Sequence, residues 1–238
     1  MFTILLTNDD GIDSDGLYRL AAAALEFGEV WIVAPDSQRS AASHAISLHN
    51  TVDVFPYEYP LHDVKAFSCT GSPADCVRVG MLSIMPHKPD LVLSGINNGY
   101  NTASDIQYSG TAGAAFEAAF QECKAAALSE GSGPVHEVTQ LYLRSMIQKV
   151  IDTELGYGQI VNINFPDCKL SECKGILTDR KVSHGMFYRD RYKKTEDLPG
   201  GGVRLRVDGQ YNEDAEEGTD FRAVVDKYVS FGIANNIS

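Results

Sequence analysis

The sequence predicts an α/β protein in which a three-layer core surrounds a mainly parallel sheet and a β-rich extension follows at the carboxyl end. Three observations lead there. Short apolar runs alternate with helical patterns through the first two thirds of the chain. Several runs are apolar at consecutive positions, as strands covered by helices on both faces must be. Beyond Pro166 the pattern changes to alternation broken by glycines.

The first strand is expected over residues 2–7 and runs into Asn8-Asp9-Asp10-Gly11. Leu17, Leu20, Ala21, Ala24 and Leu25 then share one helical face. Further strands are expected at 30–34, 65–69, 91–94, 125–128 and 160–163. Ala112, Ala115, Phe116 and Ala119 mark a second helix; Val138, Leu141, Tyr142, Ser145, Met146 and Val150 mark a third. This layering is Rossmann-like and assigns residues 1–172 to the core. Residues 173–238 form the extension, in which Val203-Arg204-Leu205-Arg206-Val207 and Gly200-Gly201-Gly202 read as projecting hairpins. Phe187, Tyr188, Tyr192, Tyr211, Phe221, Tyr228 and Phe231 supply too much aromatic area for a disordered tail, despite the acidic stretch that includes Glu213.

At 238 residues, 44% of them hydrophobic and 22% charged, the chain can bury a sizeable core. A formal charge of −12 disfavours nucleic-acid polymers and anionic lipid as partners. No run is long enough to span a membrane and no leader pattern opens the chain, so a cytoplasmic location is the expectation. The five cysteines lack Cys-x-x-Cys spacing and read as reduced thiols.

Asp9 and Asp10 place two like charges on a glycine-permitted turn at the end of an apolar strand, the sheet edge where α/β proteins bind ligands. A hard divalent cation on oxygen ligands relieves their repulsion; the competing reading is a solvated turn. Three more segments follow strands at the same edge: residues 35–44, rich in hydroxyls; 94–101, rich in amides and glycine; and 108–115, which opens a helix with small residues. Two carboxylates, a hydroxyl and an amide oxygen suit Mg²⁺ or Mn²⁺. The helix opening at residues 109–113 can hold an incoming phosphate through its unpaired N–H groups. Arg39 is a candidate helper, with a surface role as its alternative.

Six stretches, in register, resemble the SurE (survival protein E) nucleotidase family: Leu6-Thr7-Asn8-Asp9-Asp10-Gly11; Ala34-Pro35-Asp36 with Ser40 and Ser43-His44; Cys69-Thr70-Gly71-Ser72-Pro73-Ala74-Asp75-Cys76; Ser94-Gly95-Ile96-Asn97; Tyr108-Ser109-Gly110-Thr111; and Gly218-Thr219-Asp220-Phe221. The resemblance implies a metal-dependent phosphatase acting on nucleoside 5′- and 3′-monophosphates, with short polyphosphate as an occasional substrate. It implies one divalent metal per subunit (Mg or Mn) on Asp9, Asp10, Ser40 and Asn97, and a homo-dimer or homo-tetramer built by exchange of the extension. Within that mechanism Asp9 and Asp10 are the catalytic carboxylates, and Asn101, Ser109, Gly110 and Thr111 are the expected phosphate contacts. The alternative of another class is a sensor that binds a nucleotide without cleaving it.

Other chemistries lack their residues. There is no Gly-x-x-x-x-Gly-Lys loop, no Gly-x-Gly-x-x-Gly after the first strand, and no Gly-x-Ser-x-Gly elbow. His136-Glu137-Val138-Thr139-Gln140 has glutamine where a zincin needs histidine.

Overall fold

The computed structural model describes residues 1–186, 188–212 and 214–236; Phe187, Glu213, Ile237, Ser238 and the side chains of Tyr188 and Tyr211 lie outside the described residues. In chain order the elements are β1 (Thr3–Thr7), α1 (Asp15–Ala24), β2 (Glu29–Pro35), β3 (Val54–Tyr57), β4 (Val64–Cys69), α2 (Pro73–Val79), β5 (Leu91–Asn98), α3 (Gly110–Phe120), β6 (Lys124–Glu130), α4 (Glu137–Asp152), β7 (Gln159–Phe165), β8 (Ile176–Leu177), β9 (Tyr188–Arg189), β10 (Tyr192–Leu198), β11 (Gly202–Val207), β12 (Gln210–Tyr211), α5 (Asp220–Val225) and β13 (Val229–Asn235). All six expected strands and all three expected helices form. α2, with seven residues, is too short for periodicity to reveal. Its local signal is the capping box, in which Ser72 accepts from the Asp75 N–H while Asp75 accepts from the Ser72 N–H, with Pro73 opening the helix.

The main sheet has nine strands in the order β3-β4-β2-β1-β5-β6-β7-β13-β8. Its central strands are parallel, while β3 and β13 run against their neighbours β4 and β7. Side chains alternate across it. Ile4 and Leu6 of β1 pack in one core with Leu17 and Leu20 of α1 and Met146 and Ile147 of α4. Leu5 packs in the other with Val77 of α2 and Ala115 and Phe116 of α3. Burial on both faces explains why β1, β2 and β5 carry apolar runs rather than alternation.

From β1 the chain builds outward through β2 and β4, whereas from β5 it builds the opposite way through β6 and β7. The crossovers diverge between β1 and β5, which leaves a crevice beyond their carboxyl ends. Past residue 172 the chain both completes the sheet, through β8 and β13, and projects from it as the antiparallel β10–β11 hairpin. Among the described residues no helix is long and apolar enough to cross a membrane.

Candidate functional site

β1 delivers its last residues into that crevice, and a bend keeps them there. Gly11 has φ +98°, a left-handed value that favours glycine. The buried Asn8 amide donates to the Gly11 carbonyl (2.9 Å) and to Ser14 Oγ (2.7 Å), tying the bend to the amino-terminal cap of α1. Asp9 and Asp10 therefore lie on a turn and not on opposite faces of a strand.

Asp9 is 4% exposed, and its Oδ1 accepts the Thr111 hydroxyl at 2.6 Å. Burial, reinforced by the Asp10 charge and opposed by Thr111, pushes its carboxyl up to about 6. Asp10 is half-buried; its Oδ2 accepts the Asn98 backbone N–H (3.0 Å) and its Oδ1 accepts from Gln38 (3.4 Å). Its carboxyl is raised too, chiefly by burial.

The loop after β2 closes over these carboxylates. The Arg39 N–H donates to the Asp9 carbonyl (2.7 Å), and Gln38 Nε2 donates to Ser40 Oγ (2.9 Å) as well as to Asp10. Ser40 is thereby drawn to the aspartate pair. The Arg39 side chain turns away, toward Asp36 (3.1 Å) and the Thr70 carbonyl (3.1 Å). Further along, Ser43 donates from its N–H to the Tyr108 carbonyl (3.0 Å) and from Oγ to Gln107 (2.6 Å), and its own carbonyl rests on Gly113 of α3.

His44 finishes this loop as a structural residue: it stacks on Phe120 (5.5 Å) and meets Glu117 at 2.8 Å. Glu117 is buried, and burial alone would raise its carboxyl. Contacts from His44, Gln121 and Arg78 outweigh that and hold it at about 2. Because the folded value lies below the unfolded one, this contribution is complete above pH ~4.5 and fades as pH falls toward ~2. Glu117→Gln is expected to flatten acid unfolding across that window and to cost about 2 kcal/mol at neutral pH, after allowing for solvent around Arg78. Denaturant melts at pH 7 and pH 3 read both effects.

Asp9, Ser40, Asn97, Asn101 and Ser109 line one open cavity of about 630 Å³. Asn97 donates its amide nitrogen to the Gly99 carbonyl (2.7 Å), leaving Oδ1 as the atom it can offer. Asn101 is fixed by a buried amide platform: its N–H donates to Asn164 (2.8 Å), its Nδ2 to Ser129 (2.8 Å), and its carbonyl accepts from Asn162 (2.9 Å). Ser109 caps α3 by accepting the Ala112 N–H at 3.0 Å. Gly110 packs directly beside Asp9.

Thr111, one of the expected phosphate contacts, is engaged within the protein itself. It is fully buried and spends its hydroxyl on Asp9, with its N–H also turned to that carboxylate. The first turn of α3 addresses the aspartate, because the helix dipole and a desolvated carboxylate attract each other before any ligand arrives.

Among the described residues no third Asp, Glu, His or Cys completes a metal-binding group with Asp9 and Asp10. A cation there must draw its remaining ligands from neutral oxygens, and Ser40 Oγ and Asn97 Oδ1 have that chemistry. The donor set fits a small hard divalent ion.

Sequence reading did not single out Asn162 and Asn164, which hold Asn101; two amides alternating in an otherwise apolar strand were the available signal. Of the cavity walls, Tyr100 and Tyr108 lie in segments the sequence singled out, whereas Asp105, Met186, Asp190 and the wall position of Tyr192, which come from separate segments, were not found. Burial and the facing Asp190 charge push Asp105 up to about 6.

Residues 4–186 match the family model for survival protein SurE. The chain is 37% identical over 231 residues to a 5′-nucleotidase SurE of Clostridium botulinum (strain Loch Maree / Type A3), covering 95% of this chain and 90% of that protein. It is 38% identical over 232 residues to the 5′-nucleotidase SurE of Pelobacter propionicus, covering 95% and 90%. The crystal structure of a SurE protein from Aquifex aeolicus superposes with a TM-score of 0.81 at 33% identity, covering 98% of this chain and 93% of that one.

Proposed function

The chain belongs to the SurE family, and from that premise we propose that it is a metal-dependent phosphatase hydrolysing nucleoside 5′- and 3′-monophosphates, with short-chain polyphosphate as a further substrate. The observation that carries this reading is a buried carboxylate, Asp9, next to a second one and opening into a cavity that the neutral oxygen donors Ser40 and Asn97 also line. One divalent cation per subunit, Mg²⁺ or Mn²⁺, held by Asp9, Asp10, Ser40 and Asn97, supplies charge neutralisation, polarisation of a phosphoryl oxygen and a more acidic water. We place the protein in the cytoplasm as a homo-dimer or homo-tetramer.

The chain's own groups do the positioning. Asn101, held on its amide platform, together with Ser109 and the N–H of Gly110, binds phosphoryl oxygens and aligns the ester for in-line displacement. Thr111 occupies Oδ1 of Asp9, which leaves Oδ2 to take a proton from an attacking water or to attack phosphorus itself. Tyr108 and Tyr192, which line the same cavity, supply the aromatic surface on which a nucleotide base would stack.

The deciding experiment is phosphate release from 5′-AMP, 3′-AMP and short polyphosphate with Mn²⁺, Mg²⁺ or chelator. Release that chelator abolishes is the expected result. Saturable nucleotide binding with no release under any metal would instead identify a sensor. Thr111→Val is expected to raise the metal concentration for half-maximal rate by roughly 10–100-fold, the usual cost of removing a group that orients a ligand. A metal titration of the initial rate checks it.

A further inference from the structure

On the far side of the sheet edge, a second cavity of about 280 Å³ lies where residues 178–181 cross β13. Lys149, Arg180 and Lys181 line it, with Asp179 the one acidic group among the lining residues. Three cations converging on one concavity are unexpected in a chain with 20 basic and 32 acidic residues, where a basic group has ample opportunity to pair. Among the described residues none of the three enters an ion pair.

The cavity is built by backbone constraint and not by chance clustering of flexible side chains. The Arg180 N–H donates to the Phe231 carbonyl (3.1 Å), the Lys181 N–H donates to Gly218 (3.2 Å), and the Lys181 carbonyl accepts from Asp220 (2.8 Å). A Cβ on Gly232 would lie 2.0 Å from the Arg180 carbonyl oxygen, so only glycine lets this segment cross β13 so closely. Arg180 donates Nε to the Thr178 carbonyl (2.9 Å), which orients the guanidinium and leaves its two terminal nitrogens free. Asp179 is occupied by the Thr178 hydroxyl at 3.1 Å. Lys149 lies 5.2 Å over the Phe231 ring in the last turn of α4, where the helix dipole by itself favours a cation. That accounts for Lys149, but not for Arg180 and Lys181 beside it.

We propose that this cavity is a second anion site that takes a phosphate group, separate from the aspartate pair. A planar guanidinium with free donors and two ammonium groups match the oxygens and charge of a phosphate dianion. The same segment continues to Gly185 and Met186, where the Gly185 carbonyl accepts from Ser104 (3.3 Å) and Met186 lines the first cavity. Asp220 joins the two ends by accepting N–H groups from Ser183 (3.0 Å) and Ala103 (3.2 Å). An anion held at Arg180 is thus one continuous stretch of chain from the wall of the catalytic cavity.

The test is thermal unfolding of the full chain in chelator, with inorganic phosphate as probe and sodium chloride at matched ionic strength as reference. Phosphate is expected to raise the melting temperature beyond chloride in the wild type and equally in Asp9→Asn, and to lose that excess in Arg180→Gln/Lys181→Gln. Lys181→Gln alone, at an exposed position, is expected to weaken apparent phosphate affinity at least threefold and guards against a misfolded double variant. Running AMP beside phosphate in Asp9→Asn, with and without Arg180→Gln/Lys181→Gln, separates the sources: equal affinity for the part lost with Arg180 and Lys181 marks free phosphate as ligand, and tighter AMP binding lost with them marks a nucleotide. No excess over chloride in the wild type, or an undiminished excess in the Lys181 and double variants, overturns the site.

Discussion

Asp9→Asn is expected to lower metal-dependent turnover by about 10³-fold or more while raising the melting temperature of the metal-free protein. The first effect follows from removing a carboxylate that neutralises and anchors the proposed cation: a loss of ~4 kcal/mol in transition-state stabilisation corresponds to three decades in rate. The second follows from burial. A carboxyl raised to about 6 in the fold, against 3.8 for an ordinary aspartate, binds its proton more tightly when folded. Its stabilising contribution is therefore present below pH ~4 and lost as pH rises through ~6, which leaves the ionised form a burden of ~3 kcal/mol at neutral pH. Asparagine keeps the shape and the acceptor for Thr111 without that charge. Kinetics with saturating Mn²⁺, and melts with and without Mn²⁺, read both effects; the variant should also lose most of the stabilisation that the metal gives the wild type. Near-wild-type turnover would remove Asp9 from the reaction, and a lower metal-free melting temperature would show that its charge is not a burden there.

Gly113→Ala is expected to cost kcat/KM about 10–100-fold and to lower the melting temperature by several degrees, although alanine is the better helix former. Alanine gains up to ~1 kcal/mol of intrinsic helix preference. Against that, its Cβ would lie 2.3 Å from the Ser43 carbonyl oxygen and 3.0 Å from the His44 Cα, both backbone-fixed, and such overpacking costs ~1–3 kcal/mol. The softer partner is the loop after β2, which carries Ser40, so the damage reaches the site by displacing a proposed metal ligand; misplacement by about 1 Å is enough for a 10²-fold loss. The expected signature is a higher metal requirement together with a lower kcat/KM, measured well below the melting temperature. A stability loss with unchanged kinetics would mean that the position of Ser40 does not govern the reaction.

Gly113 also shows how far the residues could be read without the fold. The small residues after Ser109 read as backbone exposed for an anion, yet Gly113 is small because a loop some seventy residues earlier in the chain rests on it. Thr111 likewise reads as a phosphate contact, since a hydroxyl at a helix start commonly serves that role. In the fold its hydroxyl donates to a buried carboxylate on the turn that follows a separate strand. Neither partner is visible in local sequence. Asn162 and Asn164 were passed over for the same reason: their significance is a hydrogen-bonded platform under Asn101, formed only when β7 lies in the sheet with β6 between it and β5.

The sequence by itself determined the layering and the edge at which chemistry gathers. Apolar periodicity and strand-end composition are local consequences of burial on both sheet faces and of turn geometry, and they are written in neighbouring residues. The tertiary structure decided which oxygen faces which: that Asp9 is desolvated, that Gln38 links Ser40 to Asp10, that Arg39 turns to Asp36, and that Lys149, Arg180 and Lys181 line one cavity beside β13. Such outcomes depend on which segments pack together, and a side chain's solvation and hydrogen-bond partners are set by groups distant in the chain.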